Sequence, residues 1–266
     1  MYGEGKGGDR DDCLSFTLVD SQTFVLEKPM PTAREKRKVR RQVEDVVHRE
    51  RGMDLVPFHA MTWRQDEFWS QMNKNAVTLA HGHAGTGKTL LALWKGMTLV
   101  QQGEVEKVIY IRSDVGVEFQ RGRGALPGDF SEKVRPLIGP VLDNLPVMMR
   151  NHGAAEYIIS KGIVEPVLLE DVRGRSFNDC FIIVDEAQNM LPSHVKTCLT
   201  RLGQDSKMAI VGDTKQSDLE VFRRDNGLLD AVHRLRDMRD VGIVQFEKED
   251  IVRNSVIAHI LDRYDD

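Results

Sequence analysis

Short apolar runs alternate with longer amphipathic segments from Leu55 to the end of the chain. The runs are nearly continuous in apolar, often β-branched residues, which predicts strands buried on both faces. The predicted strands are Val77–Ala80, Lys107–Arg112, Pro166–Glu170, Phe181–Asp185, Met208–Asp213 and Gly242–Phe246. Because helical segments separate these strands, we expect an α/β fold with a mainly parallel sheet flanked by helices. A further helix is predicted from Ser131 to Met149, interrupted by Pro136, Pro140 and Pro146.

The first part of the chain follows a different pattern. Residues 1 to about 12 are rich in glycine and charge, which predicts a disordered start. Weak alternation from Leu14 to Leu26 favours a short strand pair, and Thr32 to Gly52 is predicted as a helix that begins with a capping box. The basic cluster of this helix is either a solvated face or a phosphate-backbone contact. We therefore expect a charged N-terminal extension, residues 1–54, followed by an α/β domain, residues 55–266.

Bulk composition changes this picture little. The hydrophobic fraction is 41%, the charged fraction is 29% and the formal net charge is −4, all ordinary for a soluble globular protein. No apolar run approaches the roughly 20 residues of a membrane span, and the first residues lack the apolar core of a signal peptide. The three cysteines, Cys13, Cys180 and Cys198, are widely spaced, which favours a reducing compartment. We expect a cytoplasmic protein that does not contact the membrane.

The segment from Gly82 to Thr89 fits the pattern G-x-x-x-x-G-K-T and lies between a predicted strand and a predicted helix. This is the context of a phosphate-binding loop, in which backbone N–H groups and the helix N-terminus face phosphate oxygens. In such a loop Lys88 reaches the β- and γ-phosphates, and the Thr89 hydroxyl binds Mg²⁺. The nucleotide contacts are expected from Gly82, Ala84, Gly85, Thr86, Gly87, Lys88, Thr89 and Leu90.

Two further strands end in polar residues that complete such a site. Asp185 and Glu186 close the strand Phe181–Asp185, where Asp185 would hold Mg²⁺ and Glu186 would polarise the attacking water. The next strand runs into a Gly-Asp-Thr-Lys-Gln turn. If this strand lies beside the previous one, Asp213 and Gln216 are near the γ-phosphate and sense its presence. The sequence therefore predicts metal-assisted hydrolysis of a nucleoside triphosphate.

The motifs form an ordered series: GHAGTGKT, LPGDFSEKVRPL, VRGRSFNDCFIIVDEAQN, LTRLGQDSKMAIVGDTKQSDL, NGLL and EDIVRN. From about Gln65 to Tyr264, this series resembles the PhoH family of P-loop ATPases, which is similar to the helicase superfamily 1 core. The resemblance implies a RecA-like fold, ATP hydrolysis, coupling to single-stranded nucleic acid (RNA more often than DNA) and ring-shaped oligomers. Because one chain holds one such core, a second surface for ATP must come from another subunit. We therefore expect a homo-oligomer, most simply a hexameric ring.

The resemblance also assigns roles to residues outside the loop. Gln65 matches a glutamine that reads adenine, and its alternative is an ordinary surface residue of a helix. Arg253 and Arg201 match family arginines, and an arginine stabilises charge on a phosphoryl group during transfer. We favour Arg253 as the γ-phosphate contact and Arg201 as the second choice. Either residue is alternatively part of a structural ion pair.

The Arg173-Gly174-Arg175 segment matches the family's Arg-Gly-Arg loop, whose two arginines either bind a phosphodiester or support the neighbourhood of Asp185. Arginines at a strand end and in another loop are similar candidates for nucleic-acid contact. These candidates are Arg112, Arg121, Arg123, Arg173 and Arg175. The chain departs from the family here, because Ser113 stands where the family usually has proline and the following loop is longer. Substrate preference and direction of movement are therefore not transferred from relatives.

Three other functions compete with this interpretation. A fused nuclease is disfavoured, because the extension is short and lacks clustered acidic residues. A small-molecule kinase is disfavoured by Asp185-Glu186 followed by the Gly-Asp-Thr-Lys-Gln turn. A nucleotide-dependent regulatory switch without unwinding activity stays open.

Overall fold

The computed structural model describes residues 16–20, 23–26, 54–112, 130–150, 153–213 and 226–252. The chain divides into two compact units, Met1–Glu44 and Asp45–Asp266. This boundary lies ten residues before the one predicted from the sequence, which follows residue 54. In the first unit, strands β1 (Phe16–Asp20) and β2 (Thr23–Leu26) form an antiparallel pair, within the stretch predicted to hold one. The predicted disordered start and basic helix lie outside the described residues.

In the second unit, the described strands form a six-stranded sheet in which every pairing is parallel. The strands are β3 (Val77–Gly82), β4 (Lys107–Arg112), β5 (Val164–Leu168), β6 (Cys180–Asp185), β7 (Lys207–Gly212) and β8 (Val241–Phe246). Their order across the sheet is β5-β4-β6-β7-β3-β8. Because β7 lies between β3 and β6, the carboxyl ends of these three strands meet at one edge, which confirms the predicted parallel α/β architecture.

Helices connect the strands and cover both faces of the sheet. Those in the described residues are α1 (Trp63–Lys74), α2 (Lys88–Gln101), α3 (Phe130–Met148), α4 (Ala154–Ser160), α5 (Pro192–Leu199) and α6 (Gly227–Leu235). Single 3₁₀ turns follow β5, β6 and β8, at Leu169–Val172, Ala187–Asn189 and Lys248–Asp250. None of the helices in this part of the chain combines the length and the apolar character that a bilayer crossing needs.

The core consists of two layers, one on each face of the sheet. Along β4, Val108 and Tyr110 contact one layer, whereas Ile109 and Ile111 contact the other. The first layer includes side chains of α1, α2 and α3, and the second includes side chains of α5 and α6. Burying one aliphatic side chain of this kind contributes about 1.5–3 kcal/mol. The continuous apolar runs of the sequence are therefore explained by burial on both faces of the sheet.

Strand β5 begins and ends two residues earlier than the predicted strand, which runs from Pro166 to Glu170. Leu169–Val172 forms a 3₁₀ turn instead of continuing the strand. Pro166 lies inside the strand and pairs with Tyr110 of β4. Proline lacks an N–H, but among the described strands β5 lies at the edge of the sheet, where proline is tolerated.

Helix α3 runs without a break from Phe130 to Met148, so the predicted interruption by prolines is wrong. Each proline removes one backbone hydrogen bond from the helix. The buried residues Leu137, Val141, Leu145 and Met148 recur at spacings of four, four and three, so they share one face. Packing of this face against the core offsets the backbone hydrogen bonds lost at the prolines. The periodicity of the sequence does not measure how much this packing stabilises the helix.

Candidate functional site

The loop between β3 and α2 depends on glycine. Gly82, Gly85 and Gly87 have φ angles of 121°, 79° and 87°, a backbone region that favours glycine. A Cβ atom on Gly82 would lie 1.9 Å from the carbonyl oxygen of Phe246 at the end of β8. The backbone N–H of His83 donates to that same oxygen at 3.4 Å. The start of the loop is therefore held against β8, and only glycine fits there.

Lys88 begins α2 and folds back over the loop. Its Nζ donates to the carbonyl oxygens of Gly82 at 2.9 Å and His83 at 2.6 Å, and to Thr86 Oγ1 at 3.2 Å. The ammonium group and the N-terminus of α2 both place positive charge at the loop. Burial lowers the pKa of His81, and the Lys88 charge lowers it further, so this neighbouring imidazole is neutral at pH 7. The arrangement suits an anionic ligand such as a phosphate group.

Asp185 ends β6 and accepts three hydrogen bonds. Its Oδ1 accepts from Thr89 Oγ1 at 2.9 Å and from the Glu186 backbone N–H at 3.0 Å, and its Oδ2 accepts from the Tyr110 hydroxyl at 2.6 Å. Burial raises the pKa of Asp185, against the opposing effect of the Tyr110 and Thr89 hydrogen bonds. Burial and the Asp185 charge also raise the pKa of Tyr110, so Tyr110 remains a donor. Hydroxyl and carboxylate oxygens are the donors that Mg²⁺ prefers, so Thr89 and Asp185 fit that ion.

Glu186 follows β6 in a left-handed backbone conformation, with φ 53° and ψ 39°. Its Oε2 accepts from Gln188 Nε2 at 2.6 Å, and its Oε1 lies 3.6 Å from an Arg112 guanidinium nitrogen. Gln188 Oε1 in turn accepts from the Asp213 backbone N–H at 3.0 Å. Gln188 thus connects Glu186 to the end of β7. No role was predicted for Gln188 from the sequence, although an amide two residues after Asp-Glu was a usable signal.

The end of β7 is shaped to admit the Gln188 side chain. A Cβ atom on Gly212 would lie 2.3 Å from Gln188 Oε1 and 2.8 Å from Leu228 Cδ2. Asp213 is buried at this end, between the phosphate loop and Asp185, as expected if β7 adjoins β6. Gln216, its predicted companion, lies outside the described residues.

These groups surround one cavity of about 370 Å³, a size typical of ligand pockets. Its lining residues are Ala84, Gly85, Gly87, Lys88, Thr89, Leu90, Asn144, Asp185, Glu186, Gly212, Asp213 and Val252. Asn144 and Val252 come from α3 and from the segment after β8, and sequence reasoning gave neither a role. The Val252 backbone N–H donates to the Gly85 carbonyl oxygen at 3.2 Å. The next residue, Arg253, lies outside the described residues, so its predicted phosphate contact stays a prediction.

Gln65 lies against the phosphate loop from the first turn of α1. Its Nε2 donates to the Thr86 carbonyl oxygen at 3.1 Å, and its Oε1 accepts from the Met61 backbone N–H at 2.8 Å. The side chain is buried, so the alternative of a surface glutamine is wrong. Two large apolar side chains nearby, Met61 and Trp63, are 72% and 65% exposed. Recognition of adenine by Gln65 stays a prediction.

Among the predicted nucleic-acid candidates that the structure describes, Arg112 lies beside the acidic pair at the end of β6. It ends β4, pairs in register with Asp185 of β6 and forms the ion pair with Glu186. Arg121 and Arg123 lie outside the described residues.

Two other candidates, Arg175 and Arg201, lie at the opposite end of the sheet, near the amino end of β6. Arg175 pairs with Glu165 at 2.7 Å and stacks on Phe177, and Arg201 donates to the Arg175 carbonyl oxygen at 3.3 Å. Burial raises the pKa of Glu165, but the contacts with Lys107 and Arg175 outweigh burial, so the pKa is lowered. Arg173 is exposed. The structure therefore does not bring Arg175 or Arg201 to the phosphate cavity of its own chain.

Asp185→Asn is expected to raise the melting temperature of the nucleotide-free protein by a few degrees at neutral pH. Because burial raises the pKa of Asp185, the folded state binds this proton more tightly than the unfolded state. The wild type therefore loses stability as pH rises from the ordinary aspartate pKa to the raised one, and the asparagine variant does not. Asparagine keeps Oδ1 as an acceptor for Thr89, and its amide donates to the Tyr110 oxygen.

Thermal melts of both proteins from about pH 4 to about pH 8 test this expectation. The difference in melting temperature should grow with pH through that window and then level off. A difference that is constant with pH, or that favours the wild type at neutral pH, would contradict it.

A parallel sheet with a glycine loop after one strand, an Asp-Glu pair after a second and a third strand between them defines a P-loop NTPase. Comparison with known proteins places the chain more closely. The family model described as PhoH-like protein matches residues 57–265, and the chain belongs to this family.

Curated relatives agree with this assignment. The chain is 35% identical over 223 residues to the PhoH-like protein of Bacillus subtilis, covering 84% of this chain and 67% of that protein. It is 37% identical to the PhoH-like protein of Mycobacterium tuberculosis H37Rv, covering 83% and 60%. For the protein PhoH of Escherichia coli K12 the identity is 34%, covering 79% and 59%. The chain thus spans about three-fifths to two-thirds of the length of these relatives.

Solved structures show weaker similarity. The large terminase of a thermophilic bacteriophage in complex with ADP matches with a TM-score of 0.44 and 13% identity, covering 78% of this chain and 49% of that one. The Sulfolobus solfataricus SWI2/SNF2 ATPase core in complex with dsDNA matches with a TM-score of 0.38 and 13% identity, covering 71% and 45%. Similarity at this level carries no argument about function.

Proposed function

We propose that this protein hydrolyses ATP with Mg²⁺ and couples hydrolysis to binding or unwinding of single-stranded nucleic acid, with RNA favoured over DNA. One observation carries the proposal: Lys88, Thr89, Asp185 and Glu186 line a single cavity at the carboxyl ends of β3 and β6, which lie on either side of β7. A cation, two hard oxygen donors and a separate carboxylate are the groups that phosphoryl transfer to water requires.

ATP binding in this proposal uses the phosphate loop and α1. The Lys88 ammonium exchanges the carbonyl oxygens of Gly82 and His83 for oxygens of the β- and γ-phosphates. Backbone N–H groups of the loop and the N-terminus of α2 bind the remaining phosphate oxygens. Gln65 lies against the loop at Thr86 and is assigned to the adenine edge.

Thr89 and Asp185 are the residues that would hold Mg²⁺. The ion, when bound, neutralises charge on the β- and γ-phosphates during transfer. Tyr110 donates to the Asp185 oxygen that Thr89 does not contact, so it fixes the orientation of the carboxylate. A positive ion also favours the ionised form of Asp185, which burial disfavours in its absence.

Glu186 lines the same cavity and is assigned to the attacking water. The water oxygen forms a bond to the γ-phosphorus as the bond to the β–γ bridging oxygen breaks, and Glu186 accepts the proton. The products are ADP and inorganic phosphate. The Gln188 hydrogen bonds join Glu186 to the end of β7, where Asp213 and the predicted sensor Gln216 follow.

The proposal includes a homo-oligomer, with a hexameric ring as the simplest form. Arg201 lies at the edge of the sheet opposite the cavity of its own chain. If Arg201 contacts a γ-phosphate, that phosphate therefore belongs to a neighbouring subunit. Arg253 follows Val252, which lines the cavity, and remains the favoured contact. A cytoplasmic location stays a prediction from cysteine usage.

ATPase rates measured with single-stranded RNA, single-stranded DNA and duplexes across a salt series test the proposal, with Glu186→Gln as the inactive reference. Single-stranded RNA should raise kcat most, and the stimulation should weaken as salt increases, because phosphate contacts release counterions. No hydrolysis above the Glu186→Gln rate would contradict the ATPase assignment. Hydrolysis that no nucleic acid alters would favour the regulatory switch. Light scattering with an ATP analogue and Mg²⁺ checks the ring, which a monodisperse monomer would contradict.

A further inference from the structure

We propose that Arg112 restrains Glu186 until a phosphate of single-stranded nucleic acid binds the Arg112 guanidinium group in place of Glu186. Arg112 is then the positioning residue through which nucleic-acid binding controls hydrolysis. This inference rests on the proposed function, because it takes Glu186 as the group that polarises the attacking water.

The Glu186 carboxylate is held from two sides. Arg112 faces Oε1 across 3.6 Å, and the Gln188 amide donates to Oε2 at 2.6 Å. The left-handed backbone of Glu186 directs the side chain from a turn rather than from the strand itself. Glu186 lines the phosphate cavity, and an oxygen drawn toward Arg112 is less available to a water in that cavity. Hydrolysis is therefore favoured when one of the two contacts weakens.

Gln188 is the contact that stays. It is 2% exposed, and its amide oxygen accepts from the Asp213 backbone, so no ligand reaches it without opening the end of β7. Arg112 differs in both respects. Its side chain is 28% exposed, and its separation from Glu186 is longer than a hydrogen bond.

Arg112 ends β4, which lies on the other side of β6 from β7 and the phosphate-loop strand β3. Glu186 lines the phosphate cavity, whereas Arg112 is not among the described residues that line it. The five N–H donors of a guanidinium group bind phosphate oxygens in pairs, at closer range than the 3.6 Å separation seen here. A phosphodiester approaching from solvent therefore competes with Glu186 for Arg112 without entering the ATP site.

Competition of this kind is reciprocal. If nucleic acid and Glu186 share one guanidinium group, removing the Glu186 charge must strengthen nucleic-acid binding through Arg112. Ion pairs of this exposure change an equilibrium by about two- to fivefold. This reciprocity needs no ATP hydrolysis, so the inference is tested apart from the proposed enzyme activity.

The first test is a double-mutant cycle on the full chain without ATP. Fluorescence anisotropy measures binding of a labelled single-stranded oligouridylate to wild type, Glu186→Gln, Arg112→Ala and the double variant. Glu186→Gln should bind about two- to fivefold more tightly than wild type, and this gain should disappear in the Arg112→Ala background. An equal gain in both backgrounds, no gain, or no binding at all would overturn the inference.

The second test measures ATP turnover without nucleic acid. Arg112→Ala should raise basal kcat by about two- to fivefold, leave KM for ATP unchanged and reduce stimulation by single-stranded RNA by the same factor. Arg112→Lys keeps the charge and should restore the wild-type pattern in part, which separates this effect from misfolding. Arg234→Ala, which breaks an exposed pair with Asp230 on α6, is the matched control and should behave as wild type.

A fall in kcat or a rise in KM for Arg112→Ala would overturn the inference, because Arg112 would then assist hydrolysis or ATP binding instead of restraining Glu186. If the wild type hydrolyses no ATP, the proposed function fails while the binding cycle still decides the role of Arg112.

Discussion

Glu186→Gln is expected to lower ATP turnover by about 10²- to 10⁴-fold while leaving ATP affinity within about twofold of wild type. Glutamine has nearly the shape of glutamate, but its amide does not accept a proton from water at neutral pH. Its oxygen can still accept from Gln188, so the position of the side chain is retained. Lys88, Thr89 and Asp185, which would contact phosphate and metal, are unchanged. Steady-state kcat and the affinity for a fluorescent ATP analogue measure the two quantities.

Glu165→Gln is the matched control for this substitution. Glu165 is a half-buried carboxylate on β5, at the opposite edge of the sheet, held by Lys107 and Arg175. Its loss should reduce stability, because both cations lower its pKa and so favour its ionised form. Unstimulated turnover should stay at the wild-type level. Equal kcat in wild type and Glu186→Gln would remove Glu186 from the chemistry.

Lys88→Ala is expected to weaken ATP binding by at least about 100-fold, which corresponds to about 2.7 kcal/mol. The substitution removes the positive charge that faces the phosphates. It also removes the donor that joins the carbonyl oxygens of Gly82 and His83 to Thr86, so the loop loses its internal support. A thermal melt should then show no stabilisation by ATP and Mg²⁺, whereas the wild type should melt at a higher temperature with them.

Lys95→Ala tests whether any buried lysine of α2 produces the same loss. Lys95 lies two turns after Lys88, is equally buried, and contacts Asn73 and the Trp69 ring instead of the cavity. This variant should melt at a lower temperature but keep the full shift on adding ATP and Mg²⁺. If Lys88→Ala also keeps that shift, the phosphate loop does not bind ATP as proposed.

Local features of the chain were predicted from sequence because short-range physics controls them. The phosphate loop occupies eight consecutive positions, and its glycines satisfy backbone angles within the loop itself. Strands such as β4 and β6 were predicted with almost the observed bounds, because residues buried on both faces must be apolar throughout. The parallel arrangement of the strands was predicted from the helical segments between them.

Contacts between distant segments were predicted only where a known chemical role required them. Thr89 and Asp185 were paired as metal ligands, and the structure joins them at 2.9 Å. Tyr110 was not expected at the site, because its position in an apolar strand indicates core packing. Its ring does contact the core, and only the pairing of β4 with β6 brings its hydroxyl to Asp185.

Where local pattern and tertiary packing compete, the sequence is a poor guide to the path of the chain. Prolines in α3 indicated breaks, but burial of one helix face keeps the helix continuous and brings Asn144 to the cavity. Arg201 follows a helix that returns to the amino edge of the sheet, so its distance along the chain from Asp185 says nothing about its distance from phosphate.

The sequence by itself determined the α/β class, the parallel sheet, the phosphate loop and the acidic pair after β6, because each depends on neighbouring residues or on periodic burial. Only the tertiary structure decided that β7 separates β3 from β6, that Gln188 joins Glu186 to β7, and that Arg112 and not Arg175 or Arg201 faces Glu186. These contacts are set by the strand order and by the path of each crossover. Strand order and crossover path arise from packing the whole sheet, and no local stretch of sequence encodes them.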